Sequence, residues 1–252
     1  TKANTLVDLV ELGKYYHCRM RKFHNGIDLK VLFEISNYLN ELDSLIGLKD
    51  IKEEIVNMLI YLLVMKSYSN DKINQFNQEK DNNINSDMLH AVITGSPGTG
   101  KTTFIEILAK IYTKLGFLKK GHIVKAKRSD LIGKYLGHTA AQTQAKINEA
   151  KGGILLIDEA YSLGNPEGRD SFSKECIDTL NQALSENKSE FVCIIAGYKD
   201  SLDSSFFNYN EGLRRRFPFR FDINKYTSDE LAQIFMKKIN EYKFWEVEFT
   251  QE

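Results

Sequence analysis

The sequence predicts an α/β protein: a parallel β-sheet covered by helices on both faces. Three observations carry this. Two short apolar runs, residues 154–157 and 191–196, show no alternation of apolar and polar positions, the pattern of strands buried on both faces. From residue 89 onward such runs alternate with segments of helical periodicity. A glycine-rich segment, residues 95–102, sits between an apolar run and a helical pattern, where a strand turns into a helix.

The elements follow in order. Residues 1–43 carry helical periodicity without chemistry-bearing motifs, and they predict a helical N-terminal extension. Its basic stretch, residues 17–24, reads as a solvated helix face. Residues 48–68 predict another helix, with Ile51, Ile55, Met58, Leu59, Leu62 and Leu63 on one side. The longest apolar run of the chain, residues 58–65, falls inside it; a membrane span needs about 20 apolar residues, so the run reads as a core helix. Residues 69–87 are polar and Asn-rich and predict a surface loop or disordered insert.

A strand over residues 89–94 leads into the glycine-rich segment. The next helix starts near Lys101, buries Phe104, Ile105, Leu108, Ile111 and Tyr112, and ends at Gly116. Residues 123–125 predict a short strand, and Ser129 the cap of a brief helix. Residues 139–151 form a helix closed by Gly152 and Gly153, followed by the buried strand 154–157. A helix over 171–186, the buried strand 191–196 and a last strand over 219–223 complete the sheet. Thr227-Ser-Asp-Glu230 fits a capping box, so a final helix opens there.

Composition sets outer bounds. Hydrophobic residues make up 42% of the 252 and charged residues 27%, close to a folded globular average, which excludes wholesale disorder. Lys+Arg and Asp+Glu both number 34, and zero net charge disfavours attachment to nucleic acid or membrane by bulk charge. Cys18, Cys176 and Cys193 are odd in number and contain no C-x-x-C pair, so they read as reduced, buried thiols. With no signal-peptide pattern at the N-terminus, the expectation is a soluble intracellular protein in a reducing compartment, the cytoplasm first.

Gly95-Ser-Pro-Gly-Thr-Gly-Lys-Thr102 matches G-x-x-x-x-G-K-[ST] in the strand-to-helix setting that this motif requires. Glycines let successive backbone N–H groups turn inward around phosphate oxygens. Lys101 would reach the β- and γ-phosphates, the Thr102 hydroxyl would hold Mg²⁺, and the helix N-terminus adds its dipole. Further on, the strand 154–157 delivers Asp158 and Glu159 to its C-terminal end, the end where ligands of open α/β sheets bind. Asp158 suits Mg²⁺ and Glu159 suits the attacking water.

These segments, together with Leu131-Ile-Gly-Lys-Tyr-Leu-Gly-His-Thr139 and the IIAGYKDSLD stretch, resemble the AAA+ ATPases. In particular they resemble the subgroup that contains red-type rubisco activase (the CbbX type) and stage V sporulation protein K. The resemblance covers about residues 44–245 and implies a P-loop NTPase fold, with a nucleotide-binding domain over 44–224 and the start of a helical lid over 225–252, most of the lid being absent. It implies ATP and Mg²⁺ as ligands, a homo-oligomeric ring, most often hexameric, and a protein client. The nucleotide-binding set it implies is Gly95, Ser96, Pro97, Gly98, Thr99, Gly100, Lys101, Thr102 and Thr103, with Ile46 and Gly47 against the adenine. Lys134, Tyr135, Leu136 and Gly137 match its pore loop, in which an aromatic ring offers a large contact to any side chain. Gly212-Leu-Arg-Arg-Arg-Phe217 matches its arginine-finger box, with Arg215 and Arg216 the candidates and Arg214 assigned to a salt bridge. Tyr198 stands near the place of the family's polar sensor, usually Asn, and the lid's arginine sensor would lie beyond Glu252. Two other functions stay open: an ATP-binding scaffold or switch with little turnover, and a nucleic-acid-directed motor using Lys125, Lys127, Arg128 and Lys134. Nothing in these residues names a client.

Overall fold

The computed structural model describes residues 3–19, 23–24, 27–75, 89–135, 137–164, 170–186, 190–209 and 211–241. In chain order the elements are α1 (Leu6–Arg19), a short antiparallel hairpin of β1 (Phe23–His24) and β2 (Ile27–Asp28), α2 (Leu29–Asp43), α3 (Lys49–Gln75), β3 (Ala91–Gly95) and α4 (Lys101–Lys114). Then come β4 (Ile123–Ala126), α5 (Arg128–Leu131), α6 (His138–Glu149), β5 (Ile154–Ile157), a 3₁₀ turn (Ala160–Leu163) and α7 (Ser171–Glu186). The last are β6 (Val192–Gly197), α8 (Lys199–Ser201) continued by a π turn (Leu202–Phe206), α9 (Glu211–Arg214), β7 (Phe219–Ile223) and α10 (Ser228–Glu241).

The expected parallel sheet is present. Its order is β4-β5-β6-β3-β7, with every neighbouring pair parallel. The chain leaves β3 for the far edge, returns through β5 and β6, and crosses β3 to reach β7. That reversal places β3 between β6 and β7, with Thr94 in register with Gly197 on one side and Asp222 on the other. A crevice at the carboxyl ends of the strands is the geometric result.

Residues of β3, β5 and β6 alternate between two buried clusters, one on each face of the sheet. Ile93, Leu156 and Ile194 join α1–α4 on one face; Val92, Leu155 and Ile195 join α6 and α7 on the other. Each fully buried aliphatic side chain contributes about 1.5–3 kcal/mol relative to exposure, so both faces stabilise the sheet. The apolar stripe expected on α3 is buried as predicted, from Ile51 to Leu63. Helices α1 and α2 belong to the same cluster as α4, and Glu41 pairs with Lys110 across that contact at 2.8 Å. Among the described residues no helix is long and apolar enough to cross a membrane.

Several boundaries differ from the expectation. Helix α3 runs to Gln75, so residues 69–75 of the expected polar loop are helical, while residues 76–87 lie outside the described ones. A helix already nucleated by a buried stripe extends at little cost through polar residues of fair propensity. Ser129 does not cap the brief helix: Lys127 is its N-cap, and the Asp130 carboxylate accepts from the Lys127 backbone N–H at 2.8 Å. The hairpin β1–β2, the 3₁₀ turn, the helical segment from Lys199 to Phe206 and α9 were not expected. The capping box at α10 is present, with Thr227 N–H donating to Glu230 Oε2 at 2.7 Å and Glu230 N–H to Thr227 Oγ1 at 3.2 Å. Cys176 and Cys193 are free and buried, and burial pushes the Cys176 thiol up to about 11; the Cys18 side chain lies outside the described residues.

Candidate active site

The carboxyl ends of β3, β5 and β6 open into one cavity of about 440 Å³. Gly95, Pro97, Gly98, Gly100, Lys101 and Thr102 line one wall. Asp158 and Glu159, carried beyond the end of β5, line another with Tyr161, and Gly197 and Tyr198 close it from β6. Motifs read separately along the chain thus meet in one place.

The loop owes its shape to glycines at left-handed positions. Gly98 has φ +78° and Gly100, the N-cap of α4, has φ +86°. At Gly100 a side chain would cost about 1–2 kcal/mol, and at Gly98 it would also stand in the open mouth of the cradle. Lys101 folds its ammonium over the loop, donating to the carbonyl oxygens of Gly95 at 2.9 Å and Ser96 at 2.8 Å. Thr99 is buried and donates to Ser96 O at 2.8 Å, so it shapes the loop rather than lining the cavity. Thr103, the third residue of α4, is exposed and does not line it.

Asp158 is held by the sheet, its N–H donating to Ala126 O at 3.0 Å, and its Oδ1 accepts from the Glu159 N–H at 3.1 Å. Glu159 is exposed and has φ +53°, a left-handed conformation uncommon for a residue with a β-carbon. Such positions cost on the order of 1–3 kcal/mol and cluster where side-chain placement serves function. Tyr161 packs its ring 5.8 Å from that of Tyr198; burial, and after it the Glu159 charge, hold its hydroxyl above the ordinary range. Tyr198 is 44% exposed, and among the described residues its hydroxyl has no hydrogen-bond partner.

Sequence reasoning missed a second set of residues behind the loop. Tyr226 donates from its hydroxyl to Thr99 O at 2.9 Å. Asp222 accepts from Thr94 Oγ1 and pairs with Lys199 at 2.5 Å. Burial acts to raise the Asp222 carboxyl, but the hydrogen bonds from Lys199 and Thr94 outweigh it and hold the group below its usual range. No local signal reveals these partners, because they come from distant parts of the chain.

Ile46 and Gly47 do not line the main cavity. A β-carbon at Gly47 would stand 2.8 Å from Glu230 Oε1 and 3.2 Å from the Tyr226 ring, beside a second cavity of about 220 Å³ lined by Leu48, Asp50, Asn224 and Tyr226. The candidate pore loop stands apart from both. Tyr135 is 69% exposed, Lys134 and Gly137 are exposed, and Leu136 lies outside the described residues. The loop is anchored from α6: Gly133 N–H donates to Thr139 Oγ1 at 3.1 Å, and Thr143 Oγ1 donates to Leu131 O at 2.9 Å.

Of the three arginines, Arg214 pairs with Asp203 at 3.0 Å, as the sequence reading assigned it. Arg216 donates through Nε to Asn181 Oδ1 at 2.9 Å. Arg215 is exposed and, among the described residues, has no ion-pair or hydrogen-bond partner.

The donor set suits Mg²⁺, which takes one or two carboxylates together with substrate phosphates rather than an all-protein cage. Thr102 and Asp158 offer one hydroxyl and one carboxylate in the same cavity.

Comparison with known proteins matches residues 91–225 to the ATPase family associated with various cellular activities (AAA). A putative cfxQ-like protein of Acanthamoeba polyphaga mimivirus is 45% identical, over 95% of this chain and 55% of its own length. Stage V sporulation protein K of Bacillus subtilis is 37% identical, over 81% of this chain and 60% of its own. Protein CbbX of Cereibacter sphaeroides is 38% identical, over 83% and 66%. The chain thus spans between about half and two thirds of the length of these curated relatives.

Proposed function

The chain belongs to the AAA family of ATPases and is CbbX-like within it, and on that premise we propose that it hydrolyses ATP between the subunits of a ring to remodel a protein client. The observation that carries this reading is the single cavity that unites the phosphate loop with Asp158 and Glu159. The working unit we assign is residues 44–224, with 1–43 as a helical extension and 225–252 as the start of a lid.

The loop glycines present backbone N–H groups to the phosphates, and Lys101, released from Gly95 and Ser96, neutralises their charge. Thr102 and Asp158 would hold Mg²⁺, which would supply neutralising charge for the phosphates. Glu159 orients and polarises the attacking water, a role supported by its place in the cavity lining. Tyr198 offers a hydroxyl toward the same space. Arg215 is the finger presented to a neighbouring subunit's nucleotide, a reading supported by its exposure and by its having no ion-pair or hydrogen-bond partner among the described residues. Tyr135 grips the client as an exposed ring on an anchored loop, and zero net charge favours a polypeptide over nucleic acid there.

The test is the steady-state ATPase rate against protein concentration, for the wild type and Glu159→Gln. Specific activity should rise with concentration and vanish in the variant, which should still bind ATP. A rate near zero in both, with ATP bound, would replace this reading with an ATP-binding scaffold.

A further inference from the structure

The Lys199 side chain spans the carboxyl end of β3. Lys199 opens α8 directly after Tyr198, beyond the end of β6, yet its partner Asp222 is on β7. Strand β3 lies between those two, and its Thr94 is in register with both Gly197 and Asp222. The Thr94 hydroxyl donates to Oδ1 of Asp222 while Lys199 takes Oδ2. One carboxylate therefore holds the residue before Gly95, where the phosphate loop begins, and the residue after Tyr198, which lines the opposite wall of the cavity.

This arrangement is costly as a stability device. The Lys199 side chain is 60% exposed, and an exposed ion pair contributes about 0–1 kcal/mol while fixing a long, flexible side chain. Its geometric effect is specific. No hydrogen bond among the described residues holds the Tyr198 hydroxyl, so the place of that ring depends on its backbone and on the Tyr161 ring 5.8 Å away. Fixing Lys199 fixes the adjoining backbone.

We propose that the Lys199–Asp222 pair is a positioning device for hydrolysis: it straps the end of β6 to the base of the phosphate loop and so sets Tyr198 against the reacting end of the nucleotide. The inference rests on the ATPase reading above. Lys199 does not line the cavity; it acts through Tyr198, which does. Loss of the strap leaves the loop glycines and Lys101 intact, so it lowers turnover without weakening ATP binding.

The experiment compares the wild type with Lys199→Met and Lys199→Arg. It measures kcat and KM for ATP, the affinity for a fluorescent ATP analogue, and the melting midpoint. Lys199→Met should lower kcat about tenfold or more, as displaced positioning groups do, with KM and analogue affinity changed less than about twofold. Lys199→Arg should recover most of the rate, and both variants should melt close to the wild type. An unchanged kcat in Lys199→Met overturns the inference. So does a loss of kcat matched by an equal loss of affinity, or one that Lys199→Arg does not recover. A wild type that binds the analogue but turns over no ATP overturns the ATPase reading and this inference with it, an outcome distinct from a failure of the variants alone.

Discussion

Arg216 donates its Nε to the side-chain oxygen of Asn181, 2.9 Å away, and so binds the arginine turn to α7 of its own chain. Its neighbour Arg215 points from the same turn without a partner among the described residues. The two arginines should therefore separate by function. Arg215→Ala should lower kcat on the order of 10³-fold, the scale of a lost finger, with an unchanged melting midpoint. Arg216→Ala should cost about 1 kcal/mol of stability through the lost hydrogen bond, read by chemical denaturation. Mixing Arg215→Ala with Lys101→Ala subunits should restore turnover, because some mixed interfaces carry both intact groups; no recovery would place the arginine's action within one chain.

Tyr135 should be dispensable for the fold. At 69% exposure its replacement by Ala should alter stability by less than about 0.5 kcal/mol and leave ATP turnover near the wild-type rate. Unfolding of a reporter polypeptide should be lost, as a central aromatic anchor is worth about 2 kcal/mol or more. Reporter unfolding that persists in Tyr135→Ala would remove the ring from the client path.

Asp170 carries an acid-dependent part of the stability. The Arg128 guanidinium, hydrogen-bonded to it, holds its carboxyl at about 2 against the ordinary 3.8, with burial opposing and the Ser173 hydroxyl assisting. A depressed folded value means that this stabilisation is complete above the ordinary value and is lost as pH falls from about 4 toward about 2. The difference in unfolding free energy between the wild type and Asp170→Asn should be largest near neutrality and shrink across that window. A difference independent of pH would show that charge is not what Asp170 contributes.

Gly164 tests close packing. A β-carbon there would stand 2.5 Å from the backbone carbon and side chain of Ser205, so the end of the 3₁₀ turn and the π turn can approach this closely only without it. Gly164→Ala should destabilise by about 1–3 kcal/mol, the cost of overpacking, measured by urea denaturation. A neutral effect would mean that the π turn can shift aside.

Elements governed by short-range chemistry were legible in the sequence. Strands β5 and β6 announce themselves by uninterrupted apolar runs, the phosphate loop by its glycine spacing, and α10 by Thr227 and Glu230. What escaped depends on distant partners. Nothing near Lys199 reveals that its ammonium crosses β3 to Asp222, and nothing near Tyr226 reveals its bond to Thr99. Glu159 stands out in the sequence by its place after the apolar run, but its left-handed backbone does not. Ser129 has the better capping side chain, yet the helix begins one residue before it because Asp130 reaches back to the Lys127 N–H. Ile46 and Gly47 resemble an adenine-facing segment; neither lines the main cavity, and Gly47 lies beside Tyr226 and Glu230. The polar stretch after residue 68 was misread for seven residues because composition describes solubility, whereas helix continuation depends on what precedes it.

The buried cluster shared by α1, α2 and α4 bears on how this protein can be trimmed. The catalytic motifs begin well after residue 44, and a truncation at that point looks harmless on the sequence. It would strip Leu6, Leu9, Leu32, Ile35 and Leu39 from the face they cover and expose to water the part of the α4 apolar side that lies against α2. The helix that starts at the phosphate loop would then carry a greasy flank on its far side. Shortened versions lacking the first two helices should aggregate, and any loss of ATP turnover in them would report a broken core rather than a missing catalytic group.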